Sequence, residues 1–385
     1  MAGRLSVDPF EAVFSDAAID DLRARLARTR WPDQPEGAAW TYGTDRDVLA
    51  PLCAYWANGF DWQACQARLN RFAQYVTMID GRRLHFYHVR SPEPHARPLL
   101  LAHGWPGASA EFLDVLGPLA DPAAHGADPA GAFHLVVPSL PGFGFSGPVA
   151  AMGYRARHAA ADLAALMERL GYDRYLVHGG DKGTRIALTM AADHPGRVVA
   201  LHLGLMPAPP PDPDDREAGL SGADLARVRR TDAFLRTEMA YQALQRTKPQ
   251  SLAYGLADSP AGLAGWLVEK FRAWTDSSGD LDAAMPRDRL LDMLSIYWFT
   301  GTIGSSMRSY FEDGGPGREE PLPRISVPVG HSAFPAEIIQ TPRAWAERRF
   351  DICYWNEVAR GGHFPALEVP DLFVDELRAC FRPFG

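Results

Sequence analysis

A chain of 385 residues that is 46% hydrophobic and 22% charged can bury one large core or two moderate ones, which excludes disorder as its resting state. Its net charge of −8 speaks against a general nucleic-acid or anionic-membrane surface, and small molecules are the expected partners. No apolar run approaches the roughly 18 residues of a transmembrane helix, and the opening text MAGRLSVDPF carries neither a signal-type segment nor an anchor.

FSDAAIDDLRARLARTRWPD begins with Ser15 as N-cap, repeats Ile19, Leu22 and Leu26 at helical spacing, and stops at Pro32. Further helical text through Trp56 and Trp62 leads to YVTMIDGRRLHFYHVR, two alternating runs joined at Asp80-Gly81, a strong hairpin signal. From residue 98 the texture changes to short apolar runs, each followed by glycines and a helical pattern: PLLLAHGWPG, FHLVVPSLPGFGFSG, RYLVHGGDKG and VVALHLGL. Continuous apolar strands alternating with helices imply an α/β fold whose mostly parallel sheet is covered on both faces. Gly171 is the expected C′ residue of the helix HAAADLAALMERL, which puts the next strand at Tyr175 to His178.

The proline-rich MPAPPPDPDD breaks the alternation and reads as a stiff linker. Aromatic-rich helical text follows to about residue 300, and strand text returns at ISVPVG and FDICYWNEV before a last helix near PDLFVDELRACF. A helical insertion after the central strands predicts a lid over the sheet's C-terminal edge, where ligands of such sheets bind. The expected division is an N-terminal extension of helices plus a hairpin at 1–97, a sheet core at 98–206 and 301–385, and a helical lid at 207–300.

Chemistry concentrates in the turn HGGDKGT. Gly179-Gly180-Asp181-Lys182-Gly183 fits the small-x-nucleophile-x-small pattern of a strained strand-to-helix elbow, here with a carboxylate at its centre. The unpaired N–H groups opening the next helix favour an anion there; an ordinary N-cap aspartate is the plain alternative. An elbow nucleophile requires an acid and then a histidine downstream. RGGHFPALE supplies His363 in a Gly-rich loop after the last strand, as the candidate base. Glu337 in SAFPAEII follows the strand before it and could hold the imidazole's tautomer, or merely start a helix. A Gly-rich turn after an early strand, HGWPG, can aim the Trp105 N–H at developing negative charge with the Lys182 N–H as its partner, and so tight a turn accommodates a cis bond before Pro106.

With these residues in view, the chain resembles the microsomal-type epoxide hydrolases of the α/β-hydrolase fold, N-terminal domain included. The resemblance covers nearly the whole chain and rests on DDLRARLARTRWPD, HGWPG, GGDKGT, TKP with DSPAGLAGWLVEKFRAWTD, YWFTGTIGSSMRSYFE, SAFPAEIIQTP and RGGHFPALE, in this order. It implies an α/β-hydrolase sheet with an inserted lid, Asp181 as nucleophile, His363 as water-activating base and Glu337 as its acidic partner. It also implies two lid tyrosines holding the epoxide oxygen: Tyr310 in SMRSYFE, and Tyr241, upstream of TKP. Core packing is the plain alternative for an isolated tyrosine in such text. One departure stands out: the residue after the nucleophile is usually tryptophan in this family and is Lys182 here. A cation there would favour the carboxylate's ionised form, unless Lys182 points away to solvent or pairs with another acid.

The implied reaction opens an epoxide to a vicinal diol through an aspartyl ester, with water as co-substrate and no metal or organic cofactor. Haloalkane dehalogenation uses a similar triad but needs halide-binding N–H donors in place of the tyrosines, and an inactive binding scaffold has no need for all three triad residues. Cys53, Cys65, Cys353 and Cys380 have no metal-ligand spacing and read as buried thiols of a cytoplasmic protein. His85 and His88 fall on opposite faces of one strand, which argues against a metal pair, and His331 reads as pocket lining or packing. The lid aromatics hint at a bulky apolar epoxide. Whether two copies form a homodimer is left open.

Overall fold

The computed structural model describes residues 6–318 and 320–384; residues 1–5, with which the N-terminal text begins, lie outside them. Among the described residues, nine strands form one sheet: β1 (Val7–Phe10), β2 (Gln74–Ile79), β3 (Arg82–Val89), β4 (Arg97–Ala102), β5 (Phe133–Pro138), β6 (Tyr175–Gly179), β7 (Val198–Leu203), β8 (Val329–Ala333) and β9 (Ile352–Glu357). Their order is β1-β2-β3-β5-β4-β6-β7-β8-β9. The hairpin β2–β3 turns through Asp80 and Gly81, both at positive φ (47° and 74°), and joins antiparallel to β5. From β5 onward all pairings are parallel.

Because β4 lies between β5 and β6, the direction of strand addition reverses at β4, and crevices in such sheets open at the strands' C-terminal ends beside that point. HGWPG follows β4 and HGGDKGT ends β6. Leu99 to Ala102 pair with Leu176 to Gly179, so the two Gly-rich turns lie side by side. The Gly180 N–H donates to Ala102 O (3.2 Å).

Between β7 and β8 the chain builds the helical layer, including Gly222–Thr237, Ala240–Thr247, Pro249–Asp258, Pro260–Trp274, Arg287–Thr300 and Ile303–Gly314. Helical structure therefore continues beyond residue 300. Gly301, in left-handed conformation, caps one helix, and the next, carrying Tyr310, begins at Ile303. The N-terminal helices Asp16–Ala27, Arg46–Asn58 and Trp62–Leu69 brace this layer: Trp56 Nε1–H donates to Ser295 Oγ (3.0 Å), and Arg68 holds Asp292 through Nε (2.9 Å) and Nη2 (2.8 Å).

Two expectations need correction. The strand expected at ISVPVG begins only after Pro328, which has no N–H to donate to a ladder; its carbonyl instead accepts the Leu201 N–H (2.9 Å). Cys353 is exposed, unlike the other three cysteines, because it lies on the edge strand β9. His85 and His88 make separate structural bonds, His85 to Ser139 and Gln74 and His88 to Tyr172. Among the described residues, no helix is long and apolar enough to cross a membrane.

Candidate active site

Asp181 occupies the turn between β6 and the helix Lys182–Asp193 with φ 46° and ψ −118°, a backbone conformation that costs a non-glycine residue roughly 1–3 kcal/mol. Its carboxylate makes no capping bond to that helix, which removes the N-cap reading. The strained backbone turns the side chain to the neighbouring loop, where the Trp105 N–H donates to Asp181 Oδ1 (2.9 Å). Glycines make this approach feasible. A Cβ on Gly104 would stand 2.4 Å from Asp181 Oδ1, and one on Gly183 would stand 2.2 Å from Ala102 O. The Trp105–Pro106 bond is cis, and the Lys182 N–H opens the helix as one of its donors without an intrahelical partner.

His363 comes from the loop after β9, and Glu337 from the loop after β8. A parallel bridge between Ala336 and Gly362 holds those loops together, with Ala336 N–H donating to Gly361 O (3.1 Å). Glu337 Oε1 accepts from His363 Nδ1 (2.7 Å) and from the Ile338 N–H (2.7 Å). That bond leaves Nε2 facing Asp181 Oδ2 at 3.8 Å. Burial disfavours the imidazolium, but the charge and hydrogen bond of Glu337, with the charge of Asp181, outweigh it and lift the His363 pKa to about 9. Trp274 meets the imidazole edge-on (5.1 Å), and its carbonyl accepts the His363 N–H (2.8 Å).

Both tyrosines face this cluster. Tyr241 stacks on Trp105 at 5.4 Å, Tyr310 meets Trp105 edge-on at 5.8 Å, and the two phenol rings lie 6.1 Å apart. Among the described residues, Tyr310 Oη is buried with no well-formed hydrogen bond, the Tyr241 phenol being a loose neighbour, an expensive arrangement unless something else uses the donor. Burial, then the Asp181 charge, push both phenol pKa values up, so both are neutral donors at pH 7. A cavity of about 310 Å³ reaches Asp181, Lys182 and Tyr310.

Residues 7–112 match the family model described as "Epoxide hydrolase N terminus", and residues 97–263 match "alpha/beta hydrolase fold". Epoxide hydrolase 1 of Sus scrofa is 34% identical over 97% of this chain and 88% of its own length. The chain belongs to the epoxide hydrolase family. The Aspergillus niger epoxide hydrolase structure superposes with a TM-score of 0.88 at 31% identity, covering 99% of this chain and 97% of that one. The juvenile hormone epoxide hydrolase structure of Bombyx mori gives 0.88 at 28%, covering 99% and 95%.

In this epoxide hydrolase family member, Lys182 does not pair with its neighbour Asp181. Its Nζ lies 3.8 Å from Asp313 Oδ2 and 3.6 Å from the centroid of the Tyr310 ring, so it pairs with another acid. Burial lowers its pKa, against the attraction of Asp313 and Asp181. His331 Nδ1–H donates to Leu203 O (2.7 Å), and the ring packs on Trp355, a structural place.

Two carboxyl groups near the imidazole escaped the sequence reading. Glu111 sits on the short turn after HGWPG with Oε2 buried and unpaired, and burial pushes its pKa up to about 8. Glu368 accepts from the N–H groups of Asp276 (2.7 Å) and Phe364 (2.8 Å), with its pKa raised by burial to about 7. The available signal was their position, each within a few residues of a catalytic loop motif.

Proposed function

We propose that the protein hydrolyses an epoxide to a vicinal diol, with Asp181 forming and losing an ester to substrate carbon. The observation that carries this reading is the placement of the Asp181 carboxylate. It has no capping role, lies between an imidazole and a cavity, and faces a lid tyrosine whose hydroxyl has no other partner.

An ionised carboxylate can attack an epoxide carbon without first losing a proton, in line with the breaking C–O bond. Tyr310 and Tyr241 donate to the oxygen that leaves, and an acid so placed contributes roughly 10²–10⁴-fold. Ester formation also cancels the Asp181 charge. One of the anions that hold the proton on His363 is then gone, and the imidazole becomes a competent base as a base is needed. Its proton balances the one the phenol gave to the alkoxide.

Neutral His363 next deprotonates a water that attacks the ester carbonyl. The Trp105 N–H, which already donates to Asp181, and the Lys182 N–H would hold the resulting oxyanion, at about 3–4 kcal/mol for each such donor. Collapse releases the diol and restores the carboxylate and imidazolium. Dehalogenation would use the same triad, but the unpaired phenol suits an oxygen leaving group that must be protonated, and the named relatives are epoxide hydrolases.

The test is covalent trapping. His363→Gln incubated with an epoxide should gain the mass of one substrate, mapping to Asp181, whereas Asp181→Asn should gain none. Full turnover by Asp181→Asn would overturn the proposal.

A further inference from the structure

The chain carries a net charge of −8, yet the cavity leading to the nucleophile reverses that sign. Among the described residues, its walls bring Arg155, Lys182, Arg185 and Arg246 together with two carboxylates, Asp181 and Asp313. Asp181 is the reacting group, and Glu320, outside the walls, holds Arg155, so Asp313 is the wall carboxylate that remains beside Lys182, Arg185 and Arg246. Asp313 is itself partly engaged, since its Oδ1 accepts the Ala156 N–H at 2.7 Å.

The cations differ in what already holds them. Arg155 pairs with Glu320. Among the described residues, Arg185 finds a backbone oxygen and no carboxylate, donating from Nη2 to Glu320 O (2.7 Å). Lys182 has Asp313 at 3.8 Å, longer than a direct hydrogen bond. Arg246 pairs with no carboxylate among the described residues. Its guanidinium lies over Gly314, where a Cβ would meet Nη2 at 2.9 Å, so the absence of a side chain there makes room for it at the cavity rim. Arg246 and Arg185 both repel the charge on Lys182. Like charges gathered at a cavity, short of counter-charges, are relieved when an anion enters.

We propose that this enzyme's substrate class is an epoxide bearing an anionic group, a carboxylate or a phosphate, which Arg246 and Arg185 receive at the mouth of the cavity while the oxirane reaches Asp181 and Tyr310. This rests on the epoxide-hydrolase reading above and replaces the bulky apolar substrate at which the lid aromatics hint. The guanidinium fork suits either oxyanion. The positive walls also offset the repulsion that the Asp181 carboxylate exerts on an anionic substrate.

The experiment compares three aryl glycidyl ethers of one skeleton with the full chain: one with a ring carboxylate, its neutral methyl ester, and one with a phosphate monoester in the same place. The carboxylate or the phosphate should exceed the ester in kcat/KM by about tenfold at low ionic strength. The advantage should shrink as salt screens the exposed Arg246. Arg246→Gln should narrow the ratio of anion to ester, and Arg246→Lys should retain part of it. Which anion leads distinguishes the two sources of the charge. Equal rates for all three, or a preference for the ester, overturn the proposal while leaving epoxide hydrolysis intact. No turnover of any of the three would instead count against the epoxide reading itself.

Discussion

Lys182 holds its Nζ 3.6 Å from the centroid of the Tyr310 ring, so the elbow residue that departs from the family pattern sits on the lid phenol and not on the nucleophile beside it. In the proposed reaction, a cation on the ring face favours the electron-rich phenolate left when Tyr310 protonates the leaving oxygen. Lys182→Met should therefore slow ester formation on a neutral epoxide by roughly tenfold, with Lys182→Arg retaining much of the rate. Stopped-flow measurement of tryptophan fluorescence on mixing with substrate reads that step. An unchanged rate in Lys182→Met would separate the cation from the chemistry.

Tyr310→Phe divides activity from stability. Among the described residues the hydroxyl is buried without a well-formed hydrogen bond, so deleting it removes a poorly satisfied polar group and should leave Tm unchanged or raised. The same deletion removes a donor to the leaving oxygen, and kcat/KM should fall roughly 10²–10⁴-fold. A fall in both quantities would mean that the hydroxyl serves the fold.

The positions of Asp181, His363 and Glu337 were legible because each follows a strand end in a Gly-rich or short loop, and strand order alone carries such loops to one edge. The hairpin at Asp80-Gly81 was legible for a similar reason, since both residues tolerate positive φ. What escaped depends on packing between distant segments. Nothing local to GGDKGT says that the Lys182 side chain swings to Asp313 and Tyr310, because both lie on the helix Ile303–Gly314. The charge of the cavity was hidden likewise, its arginines being scattered from residue 155 to residue 246. Cys353 looked like any apolar strand residue until β9 proved to be the sheet's edge.

Glu337→Gln should change a pH profile as well as a rate. Glu337 contributes both charge and a hydrogen bond to the raised pKa of His363, about 9, so the variant's imidazole loses its proton at lower pH. A histidine raised in the folded state adds stability that is complete below the ordinary value near 6.5 and is lost as pH rises through about 9. The wild-type advantage in Tm over Glu337→Gln should therefore be largest in mild acid and shrink through that window. Ester hydrolysis, followed in single turnovers, should slow about 10²-fold or more as the imidazole loses its orientation. A Tm difference independent of pH would contradict the assignment.

Gly104→Ala and Gly183→Ala should fail in different ways. At Gly104 the new methyl meets the Asp181 side chain itself (Cβ 2.3 Å, Oδ1 2.4 Å), which can rotate away, so activity should vanish while the circular dichroism stays native. At Gly183 it meets the backbone of Ala102 and His103 (2.2 Å to Ala102 O), which cannot move without parting β4 from β6. That variant should lose about 1–3 kcal/mol or more in denaturant titration. Equal stability of the two would show that the elbow is more pliable than this packing implies.

Asp292 tests whether the N-terminal helices hold the lid helices in place. It is fully buried and accepts from Arg68 on the helix Trp62–Leu69 and from Arg289 one turn earlier on its own helix (3.1 Å). Arg289 also reaches Asp114 on the helix Leu113–Ala120 that follows β4 (2.8 Å), so one chain of ion pairs spans three parts of the molecule. Asp292→Ala removes the carboxylate between two guanidinium groups and leaves each with its outer partner alone, Asp114 for Arg289 (2.8 Å) and Asp288 for Arg68 (4.0 Å), which should cost about 3 kcal/mol. Because Tyr241 and Tyr310 ride on the same helical layer, proteolysis between residues 222 and 314 should accelerate together with the fall in Tm. A double variant that also replaces Arg68 with methionine should recover part of the loss, since the deficit comes from an uncompensated charge and not from the missing contact alone. If the double variant is no better than Asp292→Ala, the network stabilises by packing and the ionic account fails.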